Sequence, residues 1–216
     1  MKEKFINTEN PLIIALDGPS SVGKGTIARK IARRFALSYV QSSIVYRGLA
    51  YLCISKNVAL NDVQAVLNVM KNNDVIADVE NKDLSSEEIG TISSKISAIP
   101  EVREYLSRYL KQLVLSHPRI IMEGRDIGTV IAPNADLKLF LTADVKIRAK
   151  RRYKQLLSKG KKCIIANVMD QLMQRDKRDS QRKTSPMKPA KDAVIIDTTY
   201  LNLNKVIQEI TDLVGL

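Results

Sequence analysis

Leu12-Ile13-Ile14-Ala15-Leu16-Asp17-Gly18-Pro19-Ser20-Ser21-Val22-Gly23-Lys24-Gly25-Thr26 is the stretch that decides the fold. Leu12 to Leu16 carries no charge, as a parallel strand buried on both faces requires. Beyond Thr26, the residues Ile27, Ala28, Ile31, Ala32 and Phe35 share one face at a 3.6-residue period, which predicts an amphipathic helix. Between strand and helix stands Gly-x4-Gly-Lys, the start of a phosphate-binding loop. Glycines let successive N–H groups turn inward around a phosphate. The helix that follows aims its positive end at the same place. Lys24 is then placed to bridge the terminal phosphates of a nucleotide. The strict motif puts Ser or Thr directly after the Lys; here Gly25 intervenes and Thr26 follows. An ordinary strand-to-helix turn is the bland alternative, and the elements on both sides argue against it.

Outward from this stretch the chain alternates short apolar strands with helices. Strands are predicted at 37–40, 119–122, 137–141 and 193–197. Helices are predicted at about 43–56, 60–71, 86–99, 101–116, 143–158, 167–183 and 203–214, with 72–84 as a small β excursion. In the helix over 101–116, Val102, Leu106, Tyr109, Leu110, Leu113 and Val114 form the expected core stripe. His117-Pro118 ends that helix, and the lone His reads as a terminal residue rather than a catalytic one. Five strands alternating with helices predict an α/β fold: a three-layer, five-stranded parallel sheet of P-loop NTPase type, with helices on both faces. Ligands in such a sheet bind beyond the carboxyl ends of the strands. Asp17-Gly18, Ser42 with Arg47, and Glu123 to Asp126 stand at three such ends.

With 216 residues and 44% apolar content, the chain is long enough for one α/β domain with inserted subdomains. Two distant cysteines, Cys53 and Cys163, and a single His offer no zinc spacing and no disulfide framework. The start of the chain, Met1-Lys2-Glu3-Lys4, opens a short polar lead-in to Asn10 without a signal-peptide core. No apolar run reaches membrane-spanning length, so a cytoplasmic protein is expected. The net charge of +12 is concentrated: Lys146 to Lys191 holds 16 Lys or Arg against Asp170, Asp176 and Asp179. Such a segment calls for polyanions, either nucleic acid or nucleotide phosphates; solvated helix surface accounts for many of its lysines.

Arginines at separate places suggest a second phosphate. Arg47 follows the second strand and Arg125 the third, while Arg175, Asp179 and Arg182 stand at i, i+4 and i+7 on one predicted helix face. Taken alone that trio reads equally well as a surface ion-pair ladder, each pair contributing roughly 0.3–0.5 kcal/mol. Combined with the loop, the arginines can form a cationic cup around a transferring phosphoryl group.

Several motifs together resemble the bacterial cytidylate kinases, within the nucleoside-monophosphate kinase group of P-loop proteins. They are Ile-Ala-Leu-Asp-Gly-Pro-Ser-x-x-Gly-Lys-Gly-Thr at 14–26, Tyr46-Arg47, Val102-Arg103, Gly124-Arg125-Asp126-x-Gly128-Thr129-Val130, and Arg175-Asp176-x-x-Asp179-x-x-Arg182. Pro186 stands where the family's arginine helix ends. The resemblance runs from about Leu12 to the C-terminus. It implies transfer of the γ-phosphoryl group of ATP to CMP or dCMP, with magnesium as cofactor, by a monomer acting on small molecules and not on nucleic acid or membrane.

The resemblance also implies residue roles. Gly18, Pro19, Ser20, Ser21, Val22, Gly23, Lys24, Gly25 and Thr26 hold the phosphates of ATP, with Thr26 near the magnesium. Arg47, Arg125 and Arg182 bind the acceptor phosphate and, with Lys24, carry the transfer. Ser94, Arg103 and Asp126 surround the cytosine, while Ser42, Arg175 and Asp179 face the ribose. A core over 11–59, 100–151 and 168–216 would carry a monophosphate-binding insert at about 60–99. A lid at about 152–167 would close over ATP through arginines such as Arg148 and Arg152. The chain departs from the family pattern at Ser21, where Gly is common. It departs also at Gln41-Ser42-Ser43, which replaces Asp-Ser-Gly, and after Asp83-Leu84-Ser85, where the insert looks shortened.

The chemistry agrees. A nucleoside monophosphate is mostly dianionic at neutral pH, its second pKa being about 6, so it attacks without a general base. Two anions must instead be neutralised and placed in line, for which Arg forks are better suited than Lys. Two rival readings stand beside this one. A P-loop kinase for another acceptor would keep the loop and change the base contacts. A basic RNA-binding protein with a vestigial loop would need stacking aromatics, but these make up only 5% of the chain.

Overall fold

The computed structural model describes residues 10–215; residues 1–9 of the polar lead-in lie outside them. Five strands form one sheet: β1 (Leu12–Asp17), β2 (Ser38–Gln41), β3 (Arg119–Glu123), β4 (Leu137–Thr142) and β5 (Val194–Asp197). All neighbours pair parallel, in the order β2-β3-β1-β4-β5. β1 is therefore central, which is why Leu12 to Leu16 carries no polar side chain. Its register sets Leu16 beside Glu123 and Asp17 beside Phe140, so the carboxyl ends of β1 and β3 open together at one edge.

Helix α1 (Lys24–Phe35) packs on one face of the sheet with α8 (Leu203–Val214). Ile27, Ile31 and Phe35 bury there against Leu16, Ile121, Leu139 and Val206. On the other face lie α2 (Ser43–Ser55), α3 (Val63–Lys71), α4 (Glu87–Ile96) and α5 (Pro100–Ser116), around Leu49, Val66, Ile96, Leu106 and Met122. Helices α6 (Val145–Leu157) and α7 (Ile165–Gln181) form a hairpin with a small apolar cluster of their own, Ala149, Leu156, Val168 and Leu172. Among the described residues no helix is long and apolar enough to cross a membrane.

Three local readings need correction, and one turn is additional. Residues 72–84 form no strand; they hold a short 3-10 turn at Ala77–Val79. The Asp74 carboxylate accepts from the N–H groups of Ile76 and Ala77, at 2.9 and 3.0 Å, and this local capping wins over an extended chain with no partner strand. In α5, Tyr109 faces outward with Tyr105 and Leu115, so the core stripe is narrower than its periodicity suggests and apolar surface is left over. Helix α7 ends at Gln181, and Arg182 is already extended (φ −62°, ψ 143°); it shares no helix face with Arg175 and Asp179. Finally, Ile127–Ile131 forms a π-type turn that no periodicity announced.

Candidate active site

The loop between β1 and α1 is built as its glycines require. Gly18 has φ +141°, and a Cβ there would run into the Leu141 carbonyl oxygen of β4. Gly23 has φ +108° at the start of α1. Ser21, where the resemblance expected Gly, takes φ +61°, a left-handed conformation that costs a side-chain-bearing residue roughly 1–2 kcal/mol. The space at Gly25 explains its intrusion between Lys24 and Thr26. A Cβ there would lie 3.0 Å from Glu123 Oε1 and 3.4 Å from the Tyr39 hydroxyl.

Other elements clamp the loop from behind. Ser20 N–H donates to Asp176 of α7 at 3.0 Å. Arg148 of α6 pairs with the same carboxylate and donates to the Ser20 carbonyl at 3.2 Å. Arg151 donates to the Val22 carbonyl at 3.3 Å and to the Thr198 carbonyl at 2.6 Å. The basic segment thus divides by residue type. Arg148, Arg151, Arg152, Arg175, Arg178 and Arg182 are all at least partly buried, whereas every lysine from Lys146 to Lys191 except Lys161 is exposed. Planar guanidinium forks satisfy several carbonyl and carboxylate acceptors at once; strongly hydrated ammonium groups stay in water.

Lys24 is the exception among lysines. It is buried, and its Nζ donates to the carbonyls of Gly18 and Pro19, both at 2.7 Å. Burial, then the Arg125 charge, holds its pKa well below the usual lysine range, against the pull of Glu123 and Asp17.

Opposite the loop stands the arginine cup. Arg125 reaches Asp179 through Nε at 3.0 Å and Ser20 Oγ through Nη2 at 2.8 Å. Arg175 lies 3.9 Å from the same Asp179 carboxylate. Arg47 donates to the Leu84 carbonyl. Burial first, then the charges of Arg175 and Arg152, pushes the Arg47 guanidinium down to about 9. Burial and the charge of Arg125 push Arg175 down to about 10. Asp179 is the buried counter-ion. Burial raises its pKa, but Arg125, Arg175, Arg182 and the Ser94 hydroxyl outweigh that and hold it below the ordinary value. Among the described residues, Arg175 Nε and Arg182 Nη2 are buried with no hydrogen-bond partner. Unspent buried donors of this kind are costly unless an anion completes them.

Two cavities meet at the cup. The larger, of about 870 Å³, is lined by Ser20 to Thr26, Arg47, Arg152 and Arg175 among others. The smaller, of about 50 Å³, holds Ser42, Ser94, Arg103, Asp126, Asp179 and Arg182. Lys24, Glu123, Arg125 and Arg175 line both. In the smaller pocket Arg103 Nη1 pairs with Asp126 Oδ2 at 2.7 Å, and its Nε donates to the Ser97 carbonyl at 2.7 Å. The Ser94 hydroxyl donates to Asp179 at 2.9 Å, so one residue expected at the base is bonded to another expected at the ribose. Arg182 lies 3.6 Å from Asp126 and donates to the Ser185 carbonyl at 2.6 Å. It therefore sits with the base-side residues, away from Arg47. Arg152, expected over ATP, is held by Glu87 of α4, with its Nε 2.6 Å from Oε1.

Two residues with no assigned role in the sequence turn out to be central. The Asp17 carboxylate accepts from the N–H groups of Ile127 and Gly128 at 2.9 and 2.8 Å. It thereby fixes the turn that presents Arg125 and Asp126. Glu123 ends β3 beside the loop and accepts from the Tyr39 hydroxyl at 2.7 Å; burial, then Glu123, raises the tyrosine pKa well above its ordinary value. An acid closing an apolar strand beside the phosphate loop marks both Asp17 and Glu123; the distant N–H partners that give Asp17 its role leave no local signal. For a magnesium ion the donors fit: the Thr26 side chain and the Glu123 carboxylate both line the larger cavity. These are oxygen donors of the hard kind that Mg²⁺ prefers, with nucleotide phosphates and water completing its shell.

Known proteins resemble this chain in sequence and in fold. The family model described as cytidylate kinase matches residues 14–215. A protein named cytidylate kinase from Rickettsia rickettsii (strain Sheila Smith) is 51% identical over 212 residues, covering 98% of this chain and 95% of its own. One of the same name from Rickettsia canadensis (strain McKiel) is 51% identical over 211 residues, with the same coverage. Among solved structures, an uncharacterized protein from Eubacterium ventriosum ATCC 27560 superposes with a TM-score of 0.54 at 12% identity, covering 95% of this chain and 99% of its own, a likeness of fold alone.

Proposed function

This chain belongs to the cytidylate kinase family and phosphorylates CMP to CDP at the expense of ATP; on that premise we propose that it also accepts dCMP, and that transfer is direct and in line between the two cavities. The observation that carries the proposal is the set of cations common to both cavities, Lys24, Arg125 and Arg175. Donor and acceptor phosphates repel, and these three cations lie where they must approach. ATP enters the larger cavity, its phosphates cradled by Gly18 to Thr26; the acceptor phosphate meets them in that same cavity beside Arg47, and the cytosine end of CMP points toward the smaller one.

In this reading Arg47, Arg125 and Arg175 grip the acceptor phosphate, and Lys24 exchanges its loop carbonyls for the transferring group. The acceptor attacks as an oxyanion, so charge neutralisation and alignment supply the rate. Thr26 and Glu123 would hold a magnesium ion, which would supply charge neutralisation at the ATP phosphates. Arg103 and Asp126 read the cytosine, which presents an amino donor beside ring N3 and carbonyl acceptors; uracil reverses that pattern and leaves them mispaired. Arg182, placed beside Asp126, serves the base side of the acceptor rather than its phosphate. The insert over 60–99 carries α4 into this site, and the hairpin around 152–167 forms the lid. Two free cysteines fit a reducing cytoplasm, where the chain acts as a monomer.

The test is a coupled ATP-consumption assay with CMP, dCMP, UMP, AMP and shikimate as acceptors. Turnover with CMP and dCMP well above the others is expected. Absence of CMP-dependent turnover overturns the family reading, and turnover with CMP but not dCMP overturns the extension to dCMP.

A further inference from the structure

Gly90 has no side chain to offer and lies in the interior of α4, where glycine weakens a helix more than any residue except proline. Its surroundings explain why it stands there. A Cβ built on Gly90 would lie 3.2 Å from Nη2 of Arg47 and 3.4 Å from Nη1 of Arg175. The first guanidinium comes from α2 and the second from α7, yet both rest against the same bare point of α4. Both border the larger cavity, and each is held from one side. Arg47 is pinned by the Leu84 carbonyl, and Arg175 is enclosed with Arg125 and Asp179 around it.

The same face of α4 serves the site at three levels. Glu87 holds Arg152 one turn before Gly90, and Ser94 holds Asp179 one turn after it. Resting on the reading of Arg47 and Arg175 as phosphate clamps, we propose that Gly90 is a positioning residue, whose bare backbone sets the spacing of these two arginines for the acceptor phosphate. A methyl group at this position crowds the Arg47 guanidinium by a few tenths of an ångström and only touches that of Arg175, so it alters the spacing between the two arms of one grip. The phosphate loop, anchored through Asp176, Arg148 and Arg151, does not rest on Gly90.

Gly90→Ala tests this against a purely structural role. The helix gains propensity, so Tm should hold or rise by about 2–4 °C. The KM for CMP should nevertheless rise about tenfold, while the KM for ATP stays within about twofold. In an Arg47→Lys background, adding Gly90→Ala should cost CMP binding far less than tenfold, because the atom that a Cβ crowds is gone. Unchanged CMP kinetics with a raised Tm overturn the proposal. So does a fall in Tm with the CMP and ATP constants worsening together, or additivity of the two substitutions. Failure of the wild-type protein to turn over CMP would instead strike the family reading, so the two failures are distinguishable.

Discussion

Replacing Asp17 by Asn probes the join between the phosphate loop and the turn that carries Arg125 and Asp126. Burial, opposed by the two N–H donors of Gly128 and Ile127 and by Lys24 and reinforced by Asp126, raises the Asp17 carboxyl from 3.8 to about 6. A raised folded pKa means that the fold prefers the protonated acid. That contribution is fully present below the unfolded value of 3.8 and is lost as pH climbs through about 6. At 1.36 kcal/mol per tenfold in proton affinity, the wild type loses about 3 kcal/mol across this window. Asn cannot titrate. Its single oxygen keeps one of the two N–H bonds, and its amide faces the other, a mismatch worth about 1–3 kcal/mol at every pH. The variant should therefore be the less stable protein near pH 4 and gain about 3 kcal/mol on the wild type by about pH 7. Urea melts of both proteins, followed by far-UV circular dichroism at steps across that range, measure the difference. Two stability curves that run parallel, with a constant offset, refute the assignment of the titration to Asp17.

Other substitutions address the site directly. Arg125→Ala removes a cation shared by both cavities, and steady-state assays should show kcat/KM for CMP reduced at least about 10³-fold; a loss under tenfold would place Arg125 outside the transfer path. Glu87→Gln removes the charge that draws Arg152 to α4, while the Ser85 carbonyl still accepts from it, and the KM for ATP should fall about threefold, the order of one partly exposed ion pair; an unchanged or higher KM would show that Arg152 does not serve ATP. Discrimination between CMP and UMP, measured as the ratio of kcat/KM values, should be at least about tenfold from mispairing of one buried group. Asp126→Asn should shrink that ratio, and an intact ratio would move base reading away from Asp126.

Much of the framework was legible because its causes are local. An uncharged strand, a glycine loop and a 3.6-residue apolar period all act within Leu12 to Phe35, and the structure keeps each nearly where the pattern puts it. The basic segment was legible in composition but not in direction. Charge counting treats Arg152 and Lys154 alike, whereas packing buries one against Glu87 and leaves the other in water. Arg182 shows the reverse limit. Its i+7 spacing from Arg175 is real, but the helix stops one residue short of it, and Arg182 turns to Asp126.

By itself, the sequence determined the α/β alternation, the phosphate loop and, through the family motifs, the reaction class. Only the tertiary structure decided which charge meets which. Asp17 finds its acceptor role 111 residues away at Gly128. Ser94 and Asp179 meet across 85 residues, and Gly90 matters only because α2 and α7 deliver Arg47 and Arg175 to the same point on α4. Periodicity records which face of an element is apolar. It carries no record of partners that meet once sheet and helices have packed, and in this protein those partners set the charges that line the two cavities.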